Sequence, residues 1–171
     1  EQSQQLLSGI AELGILSVPP IHQNNFDVLF RRKEKIVCVT AEDSHFLKGI
    51  AAPTLEDLSD CPLCLSTGCH LMMSKIFAEK SIRPQILSIC TTRTTALRWA
   101  EDDCGVSIVP MEPREKLADG LIAKAITGVN TDLYKTVVRV KGRPLSVVSK
   151  KFLQFYSDVR DSERMIKIKD L

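Results

Sequence analysis

The sequence predicts an α/β protein built around a mostly parallel sheet. Short apolar runs with the length of buried strands alternate with segments in which apolar residues recur at helical spacing. Strands that alternate with helices form βαβ units, and such units make parallel sheets. The 171 residues are 44% hydrophobic and 26% charged, which is typical of a globular chain with one ordinary domain or two small lobes.

Six apolar runs predict the strands. In chain order they are residues 13–17, 36–40, 63–66, 86–90, 106–109 and 136–140. Only one short helix, near residues 3–8, precedes the first strand. Because a sheet needs several strands to be stable by itself, we expect the complete protein to contribute further elements upstream.

Three groups of apolar residues at helical spacing predict the main helices. They are Leu71, Met72, Ile76 and Phe77; then Ala96, Trp99 and Ala100; then Val148, Phe152, Phe155, Tyr156 and Val159. Thr54 and Asp57 have the spacing of a capping box, and Ser146 is placed to cap the last helix. Gly105 stands where a left-handed residue would end the helix before the fifth strand.

Charge and hydropathy argue against two classes of partner. The net charge is only +2, and the densest basic run is interrupted by Glu34, so we interpret it as a solvated strand edge rather than a nucleic-acid contact. No apolar stretch approaches the ~18 residues that span a bilayer, and the first residues lack the order of a signal peptide. We therefore expect no membrane partner.

The six cysteines are interpreted as free thiols. Three of them, Cys38, Cys64 and Cys90, lie in strand-like apolar runs, where cysteine serves as a small buried hydrophobe. A chain of this length can bury a core without disulfides. A reducing cytoplasm is the expected location.

Two polar turns between a strand and a helix are candidate ligand sites. The first contains Ser66, Thr67, Gly68 and Cys69, where hydroxyls and a glycine would let a ligand approach the backbone. Helix N-termini at such turns favour anions. The alternative is that these residues only cap the helix.

The second turn surrounds one arginine with threonines. Thr92 and Thr94 flank Arg93, whose guanidinium could hold a carboxylate through two hydrogen bonds. The alternative is a surface arginine beside a capping threonine. Ser17, which follows the first strand, is a further candidate for the same site. Together these residues predict a small anionic or polar effector such as a carboxylate.

Other chemistries are less well supported by the residues. Cys61, Cys64, Cys69 and His70 supply enough ligands for zinc, but a mid-strand cysteine and two neighbouring residues are poorly placed for one tetrahedral cage. We therefore expect no metal site. No nucleophile elbow or phosphate-binding glycine loop occurs, so we expect no enzyme and no cofactor.

The order of several motifs resembles LysR-type bacterial transcription regulators. Residues 9–15 resemble the helix-to-strand turn of that family, and residues 26–44 resemble its long strand. The loop after that strand contains His45 and Leu47 but lacks the family's proline. Residues 54–58 match its short helix.

The second half of the chain continues the resemblance. Residues 76–84 are similar to the family's Phe-x-x-x-Gly-x-x-Pro segment, with Ser81 near the usual glycine. Residues 95–110 are similar to the family's Gly-Leu-Gly-Val-x-x-x-Pro segment, and residues 142–146, with Phe152 and Leu153 following, resemble the closing strand and helix. The likeness thus covers nearly the whole chain.

The resemblance implies a fold of two Rossmann-like lobes, like type II periplasmic binding proteins, with a ligand in the cleft between them. The first regulatory lobe would be residues 1–33 plus 136–171, incomplete at its start, and the second would be residues 34–135. The implied function is effector sensing for a DNA-binding regulator, with DNA contacted only by an N-terminal domain that this sequence lacks. It also implies homodimers, with the helix near residues 71–80 at the partner, and tetramers of the full-length protein.

Two alternatives stay open within this resemblance. Transport-type solute-binding proteins share the fold but are exported. Peroxide-sensing members of the family have a Gly-His-Cys triplet where this chain has Gly68, Cys69 and His70, so a thiol-based redox sensor is the second alternative. A helix N-terminus can lower a thiol pKa, which would make Cys69 reactive.

Overall fold

The computed structural model describes residues 2–17, 23–113 and 115–158, and Val159 of the last predicted helix lies outside them. The elements in chain order are α1 Gln2–Leu7, β1 Gly14–Leu16, a 3₁₀ turn Gln23–Asn25, β2 Phe26–Ala41, α2 Leu55–Ser59, β3 Pro62–Ser66, α3 Thr67–Glu79, β4 Gln85–Cys90, α4 Arg93–Glu101, β5 Val106–Met111, β6 Leu121–Ala125, β7 Asp132–Val140 and α5 Val147–Asp158. All six predicted strands are present.

The chain divides into two compact units. The first unit comprises residues 1–33 and 134–171, and the second comprises residues 34–133. The long strands β2 and β7 each contain residues of both units. The predicted regulatory lobes have nearly these bounds, but their role as lobes around a ligand stays a prediction.

The first unit is built on the pairing of β1 with β7. The two strands are antiparallel, from Gly14 opposite Val138 to Leu16 opposite Thr136. Leu6 of α1 packs onto them so closely that a side chain at Gly14 would lie 2.7 Å from a Leu6 methyl group. The first unit therefore has its own small core.

Side-chain hydrogen bonds connect α1 and the residues after it with the start of α5 and the residues before it. The Arg143 guanidinium donates to the carbonyl oxygens of Leu6 and Leu7, at 2.7 and 3.0 Å, which satisfies the end of α1. Ser146 caps α5 by accepting from the backbone N–H of Ser149 at 3.2 Å, as predicted. The carboxylate of Glu12 accepts from both serine hydroxyls, and these hydrogen bonds lower its pKa.

The sheet of the second unit is mixed rather than mostly parallel. Its order is β6-β2-β5-β3-β4, with β3 parallel to β4 and β5, and β2 antiparallel to β5 and β6. The βαβ prediction is confirmed for β3, β4 and β5. It is wrong for β2, because that strand continues from the first unit and runs opposite to β5.

Both faces of this sheet are covered, which is why β3 and β5 are almost wholly apolar. On one face α3 buries Met73 and Phe77 against β3 and β5. On the other face α4 packs through Ala96 and Ala100, whose small side chains allow a close approach. The carboxyl ends of β3, β4 and β5 therefore carry the turns into α3, α4 and the segment after β5.

The predicted capping box of α2 is confirmed, whereas the predicted left-handed residue after α4 is wrong. Thr54 and Asp57 form the predicted capping box. The left-handed residue after α4 is Asp103, with φ 48°, and not Gly105. Gly105 is needed for a different reason: a Cβ atom there would lie 2.6 Å from the Pro62 carbonyl oxygen.

Candidate functional site

The two predicted ligand turns lie side by side at one edge of the second unit's sheet. β3 and β4 are parallel neighbours, and their last residues, Ser66 and Cys90, are paired in register. The Thr67 hydroxyl donates to the Cys90 carbonyl oxygen at 2.9 Å and links the turns directly. Residues distant in the chain are thus brought together where α/β proteins bind ligands.

The first turn leaves the N-terminus of α3 without a side-chain cap. Ser66 occupies the N-cap position with extended backbone, but its hydroxyl makes no capping hydrogen bond. That hydroxyl is buried, 3.4 Å from the Cys69 sulfur. Gly68 follows in the first helical turn, and nothing lies within 4 Å of where its Cβ would be. The backbone here is accessible to a small group.

The Cys69 side chain packs in the core under the turn and is not exposed to a ligand. Its side chain is fully buried, and its thiol donates to the Ile108 carbonyl oxygen at 3.1 Å. Burial raises the pKa of the Cys69 thiol, and its hydrogen bonds with Ser66 offset this only in part. Burial thus opposes the expected lowering by the helix N-terminus and disfavours a reactive thiolate.

The second turn is capped by its own side chains. Thr92 is the N-cap of α4, and its hydroxyl accepts from the Thr95 backbone N–H at 3.1 Å. The hydroxyls of Thr92 and Thr95 are 2.9 Å apart. Thr92 and Thr94 are both exposed. The capping alternative therefore holds for Thr92 at least.

Arg93 has two partners within the second unit. Its guanidinium forms an ion pair with Glu115, and it also contacts the Pro110 carbonyl oxygen at 3.4 Å. Glu115 additionally accepts from the Glu112 backbone N–H at 3.0 Å. Since Pro110 is near the carboxyl end of β5, Arg93 extends from the α4 turn to a third strand end.

Sequence reasoning did not identify Glu115. It lies in a connecting segment with several charged residues, 22 positions from Arg93. The one available signal is indirect: an arginine in the first turn of a helix opposes the helix dipole and favours a carboxylate neighbour.

Ser17 belongs to the first unit, whereas the two turns belong to the second. It follows β1 directly and is partly exposed. Its contribution to a common site stays a prediction. The residues that the structure brings together are Ser66, Thr67, Gly68, Cys69, Thr92, Arg93 and Thr94.

In the part of the chain described, the cysteines of the zinc alternative lie in a turn, a strand and a helix. There, no group of three or more His, Cys, Asp or Glu side chains is arranged to hold a metal. Cys61 lies in the turn before β3, with its thiol 3.5 Å from the Asp57 carbonyl oxygen, and Cys64 is buried within the strand.

A serine, a histidine and a carboxylate do meet elsewhere in the second unit. The Ser44 hydroxyl donates to Asp103, and the Nδ1 atom of His45 is 3.3 Å from the other oxygen of the same carboxylate. The carboxylate and not the imidazole contacts the hydroxyl. A serine nucleophile activated by histidine would need its hydroxyl to contact the imidazole, with the carboxylate on the far side of the histidine. We interpret this cluster as a tie between two loops.

Across the described ranges, the helices are all too short or too polar to cross a membrane.

Comparison with known proteins gives the family. The profile of the LysR substrate binding domain matches residues 1–161. No curated protein sequence matches the chain significantly.

Solved structures share the fold at low sequence identity. The effector binding domain of QuiR in complex with shikimate is 22% identical, with a TM-score of 0.74, over 94% of this chain and 77% of that one. The CcmR regulatory domain of Synechocystis PCC6803, in complex with 2-PG, is 17% identical with a TM-score of 0.76, over 94% of this chain and 78% of that one.

A longer protein also matches. Full-length CbnR complexed with its target DNA is 20% identical, with a TM-score of 0.71, over 95% of this chain but only 56% of that one. The chain thus spans little more than half of a complete regulator of this kind. Because the family profile covers nearly all of the sequence, the chain belongs to the LysR substrate-binding domain family, the effector-sensing part of LysR-type regulators, with the type II periplasmic-binding-protein-like α/β fold.

Proposed function

We propose that the second unit binds the acid or polar group of a small effector at the edge formed by Ser66, Thr67, Gly68, Thr92 and Arg93. One observation carries this proposal: the N-terminus of α3 has no side-chain cap, and open space lies over Gly68. Backbone N–H groups at a helix start need partners, and an anion or hydroxyl supplies them.

The neighbouring turn adds polar groups to the same edge. The exposed hydroxyls of Thr92 and Thr94 lie at the start of α4, and Arg93 provides a positive charge. Two structurally similar domains carry shikimate and 2-PG in their structures, which are small polar ligands of the class we propose. Cys69 would shape the site from beneath, and Ser17 is retained as a predicted contributor from the first unit.

Substitution of Gly68 by alanine tests the site. A methyl group there meets nothing in the free protein, so Gly68→Ala should fold and gain up to about 1 kcal/mol, because alanine favours a helix over glycine. The same methyl group would occupy the space proposed for the effector. We expect apparent affinity to fall about ten-fold, which is about 1.4 kcal/mol.

The measurement is a thermal-shift titration with shikimate and a panel of small carboxylates, since a ligand of the native state raises apparent stability. Ser74→Ala, further along α3, is the matched control. If Gly68→Ala bound every responding ligand as tightly as the control did, this edge would not be the effector site.

The remaining functions concern the whole regulator. We propose that the chain is a cytoplasmic, non-catalytic module, and that DNA is contacted through a separate N-terminal domain, as the full-length relative bound to DNA suggests. The family is a regulatory one rather than an enzyme family.

A homodimer is part of this proposal. Leu71 of α3 is 71% exposed, and Ile86, Leu87 and Ile89 are exposed on β4, which ends the strand order. Exposed apolar side chains that lie together are typical of a protein interface. Sedimentation analysis of the chain and of the complete regulator would give the oligomeric state.

A further inference from the structure

We infer that Glu115 is a tethered carboxylate that fills the anion position of Arg93, so that an effector acid must compete with it. The inference rests on the proposed function in one respect, because it concerns the same edge of the second unit. The inference goes beyond the proposed function because it assigns Glu115, a residue outside both turns, a role in deciding which effectors bind.

The contact itself is specific. One terminal nitrogen of the Arg93 guanidinium pairs with Oε1 of Glu115, and the other terminal nitrogen contacts the Pro110 carbonyl oxygen at 3.4 Å. The second carboxylate oxygen of Glu115 accepts from the Glu112 backbone N–H at 3.0 Å. Both oxygens of the carboxylate are therefore held in place, and its position is defined by the segment after β5.

The position of Arg93 explains why a carboxylate is wanted there. Arg93 is the first residue of α4, where the helix dipole disfavours a positive charge. A carboxylate on the guanidinium offsets that cost, whether it comes from Glu115 or from a ligand. A ligand carboxylate would use the terminal nitrogen that Glu115 now occupies.

Accessibility makes exchange feasible. The side chains of Arg93 and Glu115 are 31% and 26% exposed, so the pair is neither sealed in the core nor fully solvated. A tethered group competes at a high effective concentration, so Glu115 weakens the binding of a free carboxylate unless other contacts contribute. Glu115 would thus disfavour simple acids relative to acids that also engage the α3 turn.

Chemical rescue tests this without knowledge of the effector. Glu115→Ala removes the tethered carboxylate, and acetate has the size to replace it on Arg93. We expect acetate to raise the Tm of Glu115→Ala in a saturable manner at constant ionic strength. Acetamide and sodium chloride should not do so. The wild type should bind acetate about five-fold more weakly than the variant, which equals about 1 kcal/mol.

The chain offers a matched control on the same helix. Glu101 pairs with Arg98, an arginine that is 72% exposed and lies at the other end of α4. Glu101→Ala should show no acetate effect, and the double variant Arg93→Ala/Glu115→Ala should lose it. If Glu115→Ala does not fold, Glu115→Gln replaces it, with the same expected gain in acetate affinity over the wild type.

The outcomes separate this inference from the site proposal. Equal acetate responses in wild type, Glu115→Ala and the double variant would overturn the role of Glu115, whatever Gly68→Ala shows. Rescue that depends on Arg93 supports the role of Glu115, even if Gly68→Ala leaves effector binding unchanged and the site proposal fails.

Discussion

The two turns at the edge of the second unit are similar in composition but differ in how they are closed. At the α3 turn, Ser66 is buried and makes no capping hydrogen bond, and space remains over Gly68. At the α4 turn, Thr92 caps the helix and Arg93 is paired with Glu115. The α3 turn therefore leaves its backbone N–H groups without a side-chain cap, whereas the side chains of the α4 turn already have partners.

Packing under α3 must hold the first turn, because no cap does. Phe77 lies on the buried face of α3 and is 1% exposed, so Phe77→Ala should lower the free energy of unfolding by about 3–5 kcal/mol through lost burial and the cavity left behind. Urea unfolding measures this. Leu71→Ala, on the exposed face of the same helix, should change it by about 0.5 kcal/mol or less. Equal losses in the two variants would mean that α3 is not fixed by its buried face.

The caps themselves can be compared directly. Thr92→Ala removes a capping hydrogen bond and should cost about 1 kcal/mol of unfolding free energy. Ser66→Ala removes a hydroxyl whose contact is a sulfur at 3.4 Å, and we expect a loss below about 0.5 kcal/mol. Chemical denaturation of the two single variants tests the difference. A larger cost at Ser66 would show that its hydroxyl caps α3 in solution.

The smallest expected effect is a difference in reactivity between two thiols, and it involves no change in the free energy of unfolding. Because burial raises the pKa of Cys69, its thiolate is scarcer at any pH than that of an ordinary thiol. The exposed Cys104 should react first with a maleimide at neutral pH, and Cys69 should react only on unfolding. Mass spectrometry of the labelled peptides distinguishes them. Early modification of Cys69 in the native protein would contradict this prediction and support the redox-sensor interpretation.

The meeting of the two turns was predictable from the sequence. Residues 63–66 and 86–90 each have the apolar pattern of a buried strand followed by a helix, and parallel neighbours place such turns at one edge. The capping of α2 was equally clear, because Thr54 and Asp57 carry their own local signal. Patterns of adjacent residues, or of one repeated unit, were sufficient for these features.

Features that depend on distant residues were not predictable. β6 pairs with β2, but it contains Lys124 and alternates poorly between buried and exposed positions, so its sequence lacks the pattern of a buried strand. The partner of Arg93 lies 22 residues away among other charges. The missing cap at Ser66 involves Cys69, which is only three residues away, but the Cys69 thiol also donates to the carbonyl oxygen of Ile108, which is 39 residues away on β5.

The approach of Gly105 to Pro62 restricts how this protein can vary. The Pro62 carbonyl oxygen would lie 2.6 Å from any Cβ atom at position 105, and that oxygen belongs to the backbone. No change of rotamer elsewhere relieves such an overlap. Natural or designed sequences that keep β3 and β5 in this spacing therefore have a hydrogen atom as the only available side chain at that position, although both residues lie at the opposite strand ends from the two turns.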